Sequence, residues 1–190
     1  MKLKNLTKNE SGVYVLKNVV LSYPALFAKK KFPGAEGEGK YSARFLLPVE
    51  THQAEIDAIK ADMLAIMKEK WKAKIPADKW ALRDGELTGK PEDEGHWYLA
   101  ASEAMQPTLI GRAKEQIRES DDKLYGGAIV AVQFGLWAQD NQYGKRINAN
   151  LYGVQWLEAG TRFGKPRPTA DDGFESFEDG DGFDDDDMPF

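Results

Sequence analysis

The chain has 190 residues, 42% of them hydrophobic and 11% aromatic, enough for one domain with a real core and a tail besides. It contains no cysteine, which excludes a disulfide framework, a thiolate zinc site and a cysteine nucleophile. Its formal net charge of −5 conceals a segregation: residues 171–190 hold ten acids and no Lys or Arg, leaving 21 of the 31 acids against all 26 basic residues elsewhere, a balance of +5. A mildly basic body joined to a strongly acidic tail points to a polyanion-binding body or an interaction tail. No apolar run approaches the roughly 18 residues needed to span a bilayer. The opening MKLKNLTKNESG has positive charge with no apolar stretch behind it. Neither a membrane partner nor a secretory signal is therefore expected, and a cytoplasmic location is the default.

In chain order, VYVLKNVVLSY (13–23) is rich in β-branched and aromatic residues and reads as a strand apolar on both faces. PALFAKKKFPGAEGEGK (24–40) reads as a Pro- and Gly-bounded loop carrying three consecutive lysines. KYSARFLL (40–47) alternates, with Tyr41, Ala43, Phe45 and Leu47 on one face and Lys40, Ser42 and Arg44 on a basic outer face. From Thr51 to Lys74 the period changes: Ile56, Ile59, Met63, Ile66, Met67 and Trp71 form one stripe of an amphipathic helix, with Thr51 as N-cap and Pro76 as terminator. DGELTGKPEDEG (84–95) is polar and turn-rich and is predicted to be a mobile loop.

WYLAAS (97–102) and PTLIG (107–111) read as short strands. AIVAVQFGLW (128–137) and RINANLYGVQWL (146–157) flank a Gly-containing turn and predict a hairpin. Val130, Val132, Phe134 and Leu136 share its inner face with Ile147, Ala149 and Leu151. Arg146, Asn148, Asn150 and Tyr152 face out, with Gln133, Gly135 and Trp137 on the opposite face of the first strand. The predicted fold class is mainly β with an inserted helix: an OB-fold-like, partly open five-stranded barrel over residues 1–160, followed by a flexible linker and acidic tail over 161–190.

Three motifs fail on inspection. GAEGEGKY (34–41) nearly matches a phosphate-binding loop, but Tyr41 replaces the magnesium-binding hydroxyl and the segment precedes a strand. Asp179 and Asp181 could begin a calcium loop, yet Phe183 and Phe190 would fall on ligand positions. His52 and His96 have no metal-ligand spacing. The sequence therefore predicts no enzyme, no metal and no cofactor.

What remains is a constellation of cations interleaved with aromatics. The first loop offers Tyr23, Phe27, Lys29, Lys30, Lys31 and Phe32. The strand faces offer Lys40, Arg44, Trp137, Arg146, Asn148, Asn150 and Tyr152, and the hairpin tip Tyr143 and Lys145. Single-stranded nucleic acid requires this combination, a basic track for phosphates and flat rings for unstacked bases. Any single aromatic of the set serves equally well as core, and Phe45, Trp71 and Phe134 read as core outright. In the tail, Asp184, Asp185, Asp186 and Asp187 are followed by Met188, Pro189 and Phe190. A final Phe offers a ring and a carboxylate to a basic-rimmed apolar pocket, Pro189 limits the conformations lost on docking, and the aspartates steer the encounter.

FDDDDMPF (183–190) resembles the C-terminal peptide of bacterial single-stranded DNA-binding proteins, an acidic run ending in Ile-Pro-Phe, with Met188 in place of the Ile. The body resembles instead a phage family of OB-fold single-stranded DNA-binding proteins, through LSYPALF (21–27), KYSARFLLP (40–48), KLYGGAIVAVQF (123–134) and YGKRINANLYGVQW (143–156). The resemblance implies sequence-independent coating of single-stranded DNA during phage replication or recombination, in the host cytoplasm. It also implies a tail that recruits replication and recombination proteins and occupies the DNA groove when DNA is absent. The chain departs from many bacterial relatives in lacking a long Gly/Gln/Pro-rich spacer, and its 51–74 helix is a large insertion for a minimal OB-fold. A recombination mediator or annealing protein, or an RNA binder, is the alternative on the same fold. A metal-dependent nuclease and a phage structural or DNA-mimic protein are the readings from other classes. The oligomeric state is left open, a homodimer included.

Overall fold

The computed structural model describes residues 2–164 except 32 and 35. Eight strands and one long helix follow in order: β1 (Leu6–Lys8), β2 (Val13–Lys30), β3 (Lys40–Pro48), α1 (Val49–Trp71), β4 (Leu82–Asp84), β5 (His96–Glu103), β6 (Thr108–Ile110), β7 (Ile129–Asn141) and β8 (Gly144–Glu158). Five of these strands form a closed barrel. β2 pairs antiparallel with both β3 and β7, β3 with β5, and β7 with β8, and a short parallel pairing of β5 with β8 at Ser102 and Asn150 completes the ring. The barrel is thus OB-fold-like as the strand pattern predicts, but closed rather than partly open. β1, β4 and β6 extend it at its edges along β2, β5 and β8.

The alternation of the sequence sorts side chains between one core and the outer faces. Phe45, Leu47, Leu99, Val130, Val132, Phe134, Ile147 and Leu151 are fully or almost fully buried in that core. Tyr14 and Phe134, paired across β2 and β7, stack with centroids 4.8 Å apart and planes 10° from parallel. Ile56, Ile59, Met63 and Met67 come from α1, which lies against β3, β4, β5 and β7. The inserted helix therefore supplies part of the core. Trp71, read as core, is only partly buried: its indole N–H reaches the hairpin and donates to Asp140 at 2.8 Å.

Several local expectations are corrected. Residues 24–30 are not loop: β2 continues to Lys30, past register shifts between Ser22, Ala25 and Lys30. Those irregularities accommodate Pro24, which has no N–H for a regular ladder, and Tyr23 takes a left-handed φ of 46° there. Thr51 is not the N-cap. The helix begins at Val49 after Pro48, and Thr51 Oγ1 instead pairs with His52 Nδ1 at 2.8 Å, where His52 has non-helical dihedrals and Nε2 lies 2.9 Å from the Lys17 carbonyl. The helix ends before Pro76, at Lys72, whose left-handed φ of 53° turns the chain while its N–H donates to the Lys68 carbonyl. Finally, residues 84–95 fold into short 3-10 turns around a fully buried Asp93 instead of forming a mobile loop. The tip between β7 and β8 is tighter than the sequence suggests, Asn141 pairing with Gly144 and accepting from the Tyr143 N–H.

The Tyr14 phenol is pushed well above its ordinary pKa, first by burial and then by Asp62, to which it donates at 2.6 Å. A phenol raised in the folded state gives stability that is complete below the unfolded value of about 10 and is lost as pH rises beyond it. The difference in melting temperature between the protein and Tyr14→Phe is expected to shrink between about pH 9 and about pH 11. Parallel thermal melts check this, and a pH-independent difference would refute it.

Candidate nucleic-acid interface

The outer faces of β3, β5 and β8 meet in a groove of about 570 Å³. Alternation along β3 turns Ser42 and Arg44 into it. Along β5 it turns Tyr98, Ala100 and Ser102, and along β8 Arg146 and Asn148. Tyr23 and Lys30 enter from the irregular half of β2, Arg83 from β4 and Lys90 from the turns after it. The fifteen lining residues include five cations and no Asp or Glu. Much of the rest of the wall is Ala or Ser, which keeps it shallow enough for a planar group to approach the strands.

The rings and cations are arranged in contact. Arg44 Cζ stands 3.9 Å from the Tyr98 ring centroid and 5.4 Å from that of Tyr23. Arg83 Cζ lies 5.9 Å from Tyr98, and its Nε donates to the Trp80 carbonyl at 2.7 Å. Lys90 Nζ lies 4.2 Å from the Tyr23 ring and donates to its hydroxyl at 2.9 Å, while that hydroxyl donates to Glu92 at 3.1 Å. Arg44 also forms an ion pair with Asp93 at 2.6 Å, from outside the groove lining. Such a site offers an incoming ligand positive charge and π surface together, suiting a polyanion that carries flat rings.

Of the residues singled out in the sequence, the structure brings Tyr23, Lys30, Arg44, Arg146 and Asn148 into this groove. Lys40 is the cross-strand partner of Lys30, and Lys31 is exposed just beyond β2. Lys29 is paired with Glu38 at 3.1 Å. Trp137, 39% exposed, faces Asn148 across the hairpin and so extends the same outer surface. Asn150 pairs with Gly135 and meets Ser102 at the barrel closure. Tyr152 lies so close over Gly135 that a Cβ there would stand 2.8 Å from its hydroxyl; only a glycine leaves that room. Tyr143 and Lys145 stand at the hairpin tip, Lys145 Nζ 5.7 Å from the Trp71 ring. Phe27 is placed apart from the groove, partly buried against the core beside Pro107, Leu109 and Ile117. Phe32 and Asp184 to Phe190 lie outside the described residues.

The sequence reading missed Arg83, Lys90, Tyr98 and Ser102. For Tyr98 and Ser102 a signal existed: in WYLAAS they alternate with the apolar Leu99 and Ala101. Arg83 and Lys90 sit in a polar stretch where nothing local distinguishes a groove-lining cation from a solvated one. Among the described residues no group of three or more His, Cys, Asp or Glu is placed to hold a metal ion, and no helix is long and apolar enough to cross a membrane.

A family model described as Enterobacter phage Enc34, ssDNA-binding protein, matches residues 13–188. The solved structure of the single-stranded DNA-binding protein from bacteriophage Enc34 in complex with ssDNA superposes with a TM-score of 0.79 at 33% identity, covering 86% of this chain and 96% of that one. The gp2.5 single-stranded DNA-binding protein of bacteriophage T7 shares the fold, with a TM-score of 0.52 at 12% identity over 83% of this chain and 97% of its own. Protein p50 of Acyrthosiphon pisum secondary endosymbiont phage 1 is 32% identical over 78% of this chain and 84% of its own length. With a match that spans nearly the whole sequence, the chain belongs to the family of the phage Enc34 ssDNA-binding protein.

Proposed function

We propose that the groove between β3, β5 and β8 binds single-stranded DNA without sequence preference. The observation that carries this reading is a lining with five cations, two tyrosine rings and no carboxylate. Its position supports the same ligand. OB-folds bind oligonucleotides on the face of their second and third barrel strands, between the loops that follow the first and fourth. Here those strands are β3 and β5, and the loops are residues 31–39 and the tip at 142–143. The DNA-bound phage Enc34 relative has the same architecture. Backbone phosphates follow Lys30, Arg83, Lys90 and Arg146, while bases stack on rings; since every base has a π face, little sequence preference results. The protein so defined coats and protects single strands during phage replication or recombination.

Titration with oligo-dT, followed by tryptophan fluorescence through the half-exposed Trp137, tests this. Log affinity should fall with log salt at a slope of about −3, the value for four phosphate contacts at about 0.7 each. Arg146→Ala should reduce that slope by about 0.7 and weaken binding to all sequences alike. Quenching that salt does not weaken, or none at all, would sink the reading.

Residues 161–164 stay on the body, the Phe163 N–H donating to the Gly126 carbonyl and Arg162 pairing with Asp122, so the linker and interaction tail begin after residue 164 and not at 161. Ten acids beside a body of balance +5 can mimic a phosphate backbone, and Met188-Pro189-Phe190 provides an apolar anchor behind a negatively charged run. Removal of residues 171–190 is expected to tighten oligo-dT binding at low salt, and weaker binding would refute tail competition for the groove. Phe190→Ala should abolish capture of replication and recombination proteins from host extract while leaving DNA affinity unchanged. Undiminished capture would count against the docking role.

A further inference from the structure

Arg44 differs from every other cation in the groove. Among the lining cations of the described residues it alone is ion-paired, and its partner Asp93 is 0% exposed. The same Asp93 oxygen has Thr88 Oγ1 2.7 Å away, and among the described residues the second oxygen has no hydrogen-bond partner. The segment carrying Asp93 is folded around it. Glu86 accepts from the Gly95 N–H at 2.7 Å, and Gly85 is packed so closely that a Cβ would run into the backbone carbonyls of Asp93 and His96. On its other side the guanidinium lies 3.9 Å from the Tyr98 centroid, a stacking separation.

We propose that Arg44 is a stacking plate for a base and not a phosphate clamp, with Asp93 the positioning residue that makes it one; this rests on the single-stranded DNA reading above. A phosphate that drew Arg44 away would strand the Asp93 carboxylate, buried and uncompensated, which is the costliest way to break such a pair. Arg44 therefore stays where Asp93 holds it. Its charge is already neutralised, so it releases no counterion from DNA, but its planar guanidinium, 3.9 Å from the Tyr98 centroid, offers a flat surface that the compact ammonium of a lysine cannot reproduce. The groove then divides into two functions. Arg44 with Tyr98 and Tyr23 forms a base platform, and Lys30, Arg83, Lys90 and Arg146 form the phosphate track beside it.

The test measures anisotropy of a labelled oligo-dT across a salt series, using full-length protein and its variants. Arg44→Lys should bind about tenfold more weakly, the loss expected of one base stack, with the salt slope unchanged, and so should the double variant Arg44→Ala/Asp93→Asn, which leaves no uncompensated carboxylate. Arg146→Ala is the reference for a phosphate contact and should lose about 0.7 from the slope. Asp93→Asn should leave the guanidinium free to meet a phosphate and steepen the slope by about 0.7. If the variants carrying Asp93→Asn fail to fold in thermal melts, Arg44→Lys decides alone. Wild-type affinity in Arg44→Lys, or a slope reduced by about 0.7 in the double variant, would overturn the proposal while leaving DNA binding intact. A wild-type protein with no salt-dependent binding would instead remove the functional reading, and this inference with it.

Discussion

The short parallel contact of Ser102 on β5 with Asn150 on β8 closes the barrel, and the groove depends on it. Without that closure the cations would belong to two separate surfaces. Arg44 and Tyr98 sit on the β3–β5 side, and Arg146 and Asn148 on the β7–β8 hairpin, more than forty residues further along the chain. The closure itself is one bridge; elsewhere β5 is laddered to β3 and β4, and β8 to β7 and β6.

In that groove, charge is held in place more by what is absent than by pairing. Exposed lysines and arginines are commonly offset by nearby acids, as Lys29 is by Glu38 and Arg162 by Asp122 elsewhere on the surface. Among the described residues no acid lines the groove wall. Like charges gathered there repel one another and destabilise the empty protein, and a bound polyanion relieves that repulsion. α1 and the hairpin support the same surface from below. Trp71 donates to Asp140 and lies beneath Lys145, so the helix that supplies Ile56, Ile59 and Met63 to the core also braces the arm that carries Trp137 and Arg146.

The elements legible in the sequence were those whose burial writes a period into a single segment. Alternation over 128–137 and 146–157 revealed the hairpin and its inner face, and the stripe from Ile56 to Met67 revealed the helix. Arg44, Arg146 and Asn148 were recoverable because they fall on the polar phase of such segments. The rest depends on partners distant in sequence. Nothing in PALFAKK marks a strand, since its regularity is broken by Pro24 and restored only by pairing with β3. Asp93 looks like one acid among several in KPEDEG, and only the fold takes it out of water and sets it against an arginine 49 residues away. Lys90 and Arg83 acquire meaning only where the fold sets them against the rings of Tyr23 and Tyr98.

The contact of Arg44 with Asp93 also contains two of the four buried side-chain polar atoms that have no hydrogen-bond partner among the described residues, the others being Ser22 Oγ and Trp156 Nε1. Arg44 Nε and Asp93 Oδ1 are both buried without a hydrogen-bond partner. A buried ion pair with unmet donors and acceptors is a poor way to gain stability, and apolar replacements of similar volume often do as well or better. A pair chosen for stability alone would not leave two polar atoms stranded beside a groove. Held for orientation, it need only keep the guanidinium 3.9 Å from Tyr98 while phosphates pass on neighbouring cations. The incomplete satisfaction is then the cost of an arginine that presents its plane and withholds its charge.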